Sequence, residues 1–201
     1  MRVKSEERRQ AILDVAREAF TQLGFENTTM SEIANRTGGS KATLYNYFSS
    51  KEELFAAVID EFGRQRIAEA FMSMNPDKPV REEITRLGLH YLRFILNPDV
   101  IGLRAVIVHE SARTNIGREY YRLGPQRGWQ YISQYIEQQS RSGQLCAIEN
   151  SWAAAMHLKG LLEVEMLEPL LLGARACPDD KEMAEVVERA INVFRLAYGP
   201  R

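Results

Sequence analysis

Between Thr29 and Lys51 the chain concentrates side chains that bind anions and read base edges. They are the hydroxyls of Thr29, Ser31, Ser40 and Thr43, the ammonium groups of Lys41 and Lys51, and the phenols of Tyr45 and Tyr47. Hydroxyl and ammonium groups donate to phosphate oxygens, and the free N–H groups at helix starts aim a partial positive charge the same way. A helix that enters a major groove does so through its N-terminal part, which places Ser40, Lys41, Ala42, Thr43 and Tyr45 against base edges. Lys41 can donate to guanine, Thr43 can bond to base or phosphate, and Ala42 can touch a thymine methyl. The Tyr45 ring can alternatively pack beneath the turn.

Two short helices joined by a Gly-containing turn must hold these groups. Thr29 followed by Glu32 is a capping box that starts the first helix, which carries Ile33 and Ala34 inward and stops at Gly38-Gly39. Ser40 caps the second, whose Leu44, Tyr45 and Phe48 fall on one face. Ser50 with Glu53 is a further capping box, which puts Lys51 in the first turn of a third helix. Ahead of all three, residues 5–23 form an amphipathic helix through Ile12, Ala16, Phe20 and Leu23, ended by Gly24. These helices should bury Phe20, Ile33, Leu44, Phe48, Leu54 and Phe55 together. Two helices braced in this way are the layout of a DNA-reading helix-turn-helix.

Over roughly its first fifty residues the chain resembles the TetR family of bacterial transcriptional regulators. The family's ordered pattern stands here as Thr28-Thr29-Met30, Ile33-Ala34, Gly38-Gly39-Ser40, Thr43-Leu44-Tyr45-Asn46-Tyr47-Phe48 and Lys51-Glu52-Glu53-Leu54. The resemblance implies that Thr29, Ser31, Tyr47 and Lys51 hold phosphates. The helix dipole disfavours a cation at a helix start, and a bound phosphate accounts for Lys51 there. Arg2 and Lys4, in an N-terminal arm, would add phosphate or minor-groove contacts. The resemblance also implies an effector pocket in the later helices, where polar and aromatic groups interrupt apolar runs. The candidates are His90, Tyr91, Phe94, Arg104, His109, Tyr121, Trp129 and His157. It further implies that effector binding tilts the helix from Lys51 and changes the separation of two reading helices.

Helical periodicity continues to the end and no strand-like alternation occurs, so the class is all-α with about nine helices. The expected organisation is a helix-turn-helix domain over 1–50, a connecting helix over 51–75 that carries Phe62 and Ile67, and an effector-binding and dimerisation domain over 76–201. A break is expected near 114–125. A single helix is expected from Trp152 to about Leu172, and a last one follows Pro178. The first of these two is apolar nearly all round and must be covered from more than one side. The last two helices are therefore expected to pair with their copies in a two-fold homodimer, which would read a palindromic operator with half-sites roughly 34 Å apart.

Bulk properties narrow the alternatives. The 201 residues are 45% apolar and 26% charged with a net charge of -1. Residues 1–51 hold eight basic against six acidic side chains, which leaves the excess of acid in the remainder. No apolar run approaches bilayer length and the charged N-terminus lacks a secretion signal's apolar core, so no membrane association and a cytoplasmic location are expected. Cys146 and Cys177 read as small buried or half-buried side chains, and the three His share no metal-ligand spacing with each other or with either Cys. No cofactor or metal is expected. A rival reading makes the chain an all-α small-molecule carrier or enzyme, using Glu163, Glu165 and Glu168 or the histidines. That carboxylate group reads as a solvated stripe, with no nucleophile beside a base and no phosphate-cradling Gly loop. A DNA binder that needs no effector, or an activator, remains the other alternative to a repressor released by a small apolar effector.

Overall fold

The computed structural model describes residues 2–63 and 68–200, and their side chains except those of 2–5, 62 and 69. The side chains of Arg2, Lys4 and Phe62, and the whole of Ile67, lie outside that description. All regular structure among the described residues is helical: α1 (Arg2–Asn27), α2 (Met30–Arg36), α3 (Lys41–Tyr45), α4 (Lys51–Gly63), α5 (Glu69–Met72), α6 (Val80–Ile95), α7 (Pro98–Glu110), α8 (Ile116–Leu123), α9 (Pro125–Arg141), α10 (Ser151–Glu163), α11 (Leu167–Leu171) and α12 (Asp180–Tyr198).

Two of the departures from the nine expected helices have local causes. The stretch 114–125, expected to break the pattern, holds α8, because Ile116 is buried and anchors a short amphipathic turn. The helix expected from Trp152 to Leu172 is interrupted at Val164–Met166, and α11 restarts with Pro169 in its first turn. A proline ring clashes with the carbonyl four residues back, here that of Glu165, so an unbroken helix cannot pass through it. Between α4 and α5, residues 64–67 are undescribed. At the start of α7, Asn97 Oδ1 accepts from the Asp99 N–H at 3.0 Å.

The chain divides into two compact units, Met1–Arg64 with Gly102–Gly124, and Gln65–Ile101 with Pro125–Arg201. The first is built on α1 and α4, whose Phe20, Phe25 and Phe55 rings lie 4.8–5.7 Å apart, mostly edge to face. Around them pack Ile12, Ala16, Ile33, Leu44, Phe48 and Leu54, with Leu103, Ile107 and Ile116 closing the core. Rings in such arrangements contribute beyond the area they bury. α1 kinks at Gly24 (φ 76°), and the kink is pinned by the fully buried Thr28 hydroxyl, which donates to the Gly24 carbonyl at 2.6 Å and sits 3.2 Å from that of Ala19.

The second unit packs α6, α9, α10 and α12 around Leu87, Leu92, Trp129, Ile136, Leu158 and Phe194. Gly88 is what lets α6 approach so closely. A methyl group there would stand 3.0 Å from Val187 Cγ1 on α12 and 3.1 Å from Leu162 Cδ2 on α10. Both cysteines are free thiols. Cys146 is half-buried as expected, but Cys177 is exposed, its Sγ 3.3 Å from the Leu96 carbonyl oxygen. No helix among the described residues is long and apolar enough to cross a membrane.

Candidate nucleic-acid interface

The local sequence makes α2 and α3 by the caps it contains. The Thr29 hydroxyl accepts from the Glu32 N–H at 3.1 Å, and the Ser40 hydroxyl from the Thr43 N–H at 3.0 Å, so each helix has one of its free donors satisfied. Glu32 pairs with Arg36 at 2.8 Å, a bond that supports α2 along its own axis. The turn between the helices passes through Gly38 at φ 63°, a backbone region that costs an L side chain strain.

Leu44 is 2% exposed and faces the core, while Ser40, Lys41, Ala42 and Tyr45 face solvent and Thr43 is half-buried. Every base-reading candidate therefore has an accessible side chain, carried on a helix whose far side is locked. Tyr45 is 44% exposed, so its ring does not pack beneath the turn; the Lys41 ammonium lies 5.9 Å from its centre. The Ser40 and Thr43 hydroxyls bond to each other at 2.8 Å. Thr29 and Ser31 are exposed, and Tyr47 is half-buried against the core of this unit. The Arg9 guanidinium lies 5.5 Å from the Phe48 ring centre, tying α1 to the segment after α3.

Lys51 is half-buried and held by backbone carbonyls rather than solvated. Its ammonium donates to the Phe25 carbonyl at 2.6 Å, approaches that of Glu26 at 3.4 Å, and stands 4.2 Å from the Phe25 ring centre. The cation at the start of α4 thus serves the carbonyl end of α1, where the dipole favours it. At the same helix start, Glu53 Oε2 accepts from both the hydroxyl and the N–H of Ser49. These bonds hold its carboxyl below the usual value against a small opposing push from burial. Beyond them, α4 and α8 line a cavity of about 630 Å³ bearing Glu52, Glu53, Asp60 and Glu119, a sign of charge that repels phosphate.

The eight effector candidates fall into different environments. Tyr91 and Trp129 are buried and meet edge to face at 5.1 Å, with Phe71 within 6.0 Å of both and Phe94 packed against the same core. The Tyr91 hydroxyl donates to Glu163, which also pairs with Lys159. Glu163, at 12% side-chain exposure, is therefore no part of a solvated stripe, and Glu165 pairs with Arg189 through two bonds. His90 is exposed, and exposed His157 stacks on Tyr198 and bonds to its hydroxyl. Arg104, His109 and Tyr121 belong to the first unit.

The second unit also holds a polar group that reading the sequence did not single out. Glu83, 1% exposed, accepts from the Asn75 N–H at 2.9 Å and Arg86 at 3.0 Å. Burial pushes its carboxyl up, but these bonds outweigh it and leave the group below the usual value. Burial, and secondarily the charge of Glu83, push the Tyr135 phenol up to about 12. The Tyr135 hydroxyl and Gln139 Oε1 are buried with no hydrogen-bond partner among the described residues. The signal in the sequence was present: two polar groups four residues apart on the apolar stripe of α9, beside Trp129, Ile132 and Ile136.

Comparison with known proteins matches residues 12–58 to the family described as bacterial regulatory proteins, tetR family, and residues 82–200 to the AefR-like transcriptional repressor C-terminal domain. The uncharacterized HTH-type transcriptional regulator YhgD of Bacillus subtilis is 33% identical over 88 residues, covering 44% of this chain and 46% of that protein. The match thus spans about half the length of that relative. A crystal structure of a TetR-family regulator from Mesorhizobium loti superposes over 97% of this chain and 98% of its own with a TM-score of 0.87 at 23% identity. The flavonoid-responsive regulator FrrA does so over 98% and 99%, with a TM-score of 0.82 at 25% identity.

Proposed function

The chain belongs to the TetR family of bacterial transcriptional regulators, and on that premise we propose that it is a cytoplasmic repressor that binds a palindromic operator as a homodimer and leaves it on taking up a small, mostly apolar effector. The observation that carries the DNA reading is the division of α3 into a buried Leu44 and a solvent face of Ser40, Lys41, Ala42 and Tyr45. In this reading those residues with Thr43 meet the base edges, and Thr29, Ser31 and Tyr47 hold phosphates. Lys51 has three N–H donors, so while bound to the carbonyl end of α1 it keeps one for a phosphate. The match of residues 82–200 to a repressor C-terminal domain supports the sign of regulation.

Dimerisation is supported by apolar groups that the second unit leaves in water. Val164 is 70% exposed, Val193 49% and Leu196 89%, and Trp152 and Met156 on α10 are only partly covered. Single exposed apolar residues are ordinary, but several on the last helices support an association surface there. The effector reading rests on the Tyr135 hydroxyl and Gln139 Oε1, which lack partners among the described residues in a core that is largely apolar and aromatic apart from Glu83. A flat or lipophilic molecule with one hydrogen-bonding group would satisfy them.

Selection of bound sequences from random DNA, followed by titration at several salt concentrations, tests the reading. A two-fold symmetric site bound at least about 10³ times more tightly than random DNA is expected. Equal affinity for all sequences would overturn it.

A further inference from the structure

The geometry points to a binding site for one divalent transition-metal cation, of the zinc class, formed by Glu26, His109 and Glu110 in the first unit. Glu26 lies in the short segment after the α1 kink, and His109 and Glu110 end α7. One imidazole nitrogen and one oxygen from each carboxylate all lie within 4.8 Å of one another. An ion bound at about 2.0–2.2 Å needs tetrahedral ligands roughly 3.3–3.6 Å apart. Closing that gap takes only side-chain rotation, for which Glu26 and His109, both exposed, have room. An imidazole with two carboxylates, and water in the remaining position, suits Zn2+ and also Mn2+ or Fe2+.

Glu110 supplies the independent observation. Its side chain is 5% exposed, its carboxylate accepts no hydrogen bond among the described residues, and the His109 ring stands beside it with Nε2 at 4.0 Å. A carboxylate on a side chain this deeply set, with no donor bonded to it, lacks part of the compensation that buried charges ordinarily have, and a metal ion provides it. Two cations already stand nearby. Arg113 donates to Glu26 Oε1 at 2.7 Å, and Lys51 is held on the Phe25 and Glu26 carbonyls. Arg113 occupies one Glu26 oxygen and competes with an incoming ion. A bound ion would fasten the chain three residues before Thr29, the cap of α2, to the end of α7. The assignment is independent of the DNA-binding reading.

Titration of the full-length, chelator-treated protein with Zn2+ by calorimetry, and with Co2+ by visible absorption, reads the site directly. One ion per chain is expected, with a Co2+ ligand-field spectrum. Glu110→Gln and His109→Gln each weaken binding at least tenfold, Arg113→Gln tightens it severalfold, and His157→Gln and Cys177→Ser leave it unchanged. Thermal unfolding without metal checks that each variant folds, and a Zn2+-induced rise in Tm is expected in the wild type but not in His109→Gln. The absence of saturable binding at micromolar ion, equal affinity in His109→Gln and Glu110→Gln, or loss of binding in His157→Gln or Cys177→Ser instead, would overturn the assignment.

Discussion

Lys51 shows how a single side chain can serve two ends. It opens α4, where the dipole of its own helix opposes a positive charge, yet its ammonium closes the carbonyl end of α1 over the Phe25 ring. Lys51→Gln should therefore lower unfolding stability by about 1 kcal/mol in the absence of DNA, as measured by denaturant titration. It should also reduce the salt slope of DNA binding by about one. Loss of stability with an unchanged slope would leave Lys51 with the carbonyls alone. Glu53 at the same helix start gives a pH dependence. Because Ser49 holds its carboxyl below 4.5, it adds stability above the unfolded value and loses it as pH falls through the lower folded one. Glu53→Gln should accordingly flatten the fall of Tm on acidification below about pH 4.5, and an unaltered Tm profile would count against it. Thr29 and Ser40 were legible as caps because a cap acts within three residues. The partners of Lys51 lie 25 and 26 residues away, a distance over which spacing carries no information.

At the scale of elements, periodicity located the helices wherever one apolar face was continuous, as in α6, α9 and α12 with their buried stripes. It misjudged α10 and α11, because the apolar residues that recur through 152–172 outweighed the helix-breaking signal of Pro169. It also passed over α8, a short helix held mainly by burying Ile116. Close approach between helices was not legible either, since a glycine on an apolar face carries no mark of its neighbours. Gly88→Ala should push against Val187 and Leu162 and cost about 1–3 kcal/mol in a denaturant titration, with helix content unchanged by circular dichroism. A neutral or stabilising outcome would mean that α6, α10 and α12 are packed with slack.

For the molecule as a whole, the exposed apolar groups of α12 bear on assembly. Val193 and Leu196 contribute little to the core of their own unit, being 49% and 89% exposed. Paired substitution Val193→Glu with Leu196→Glu should yield monomers by sedimentation velocity while helix content and core packing persist; a species still dimeric at micromolar concentration would place the subunit contact elsewhere. The sequence could anticipate an apolar surplus here but not which side of each helix the chain's own fold would cover, because that depends on crossings between helices far apart in the chain. The division of labour on α3 has a consequence over longer times. Leu44 is committed to the interior, whereas substitutions at Lys41, Ala42 and Tyr45 on its water-facing side should change stability by no more than about 0.5 kcal/mol. On the proposed reading of α3, a lineage of such chains can exchange one target for another by drift at three positions, without first having to repair its architecture.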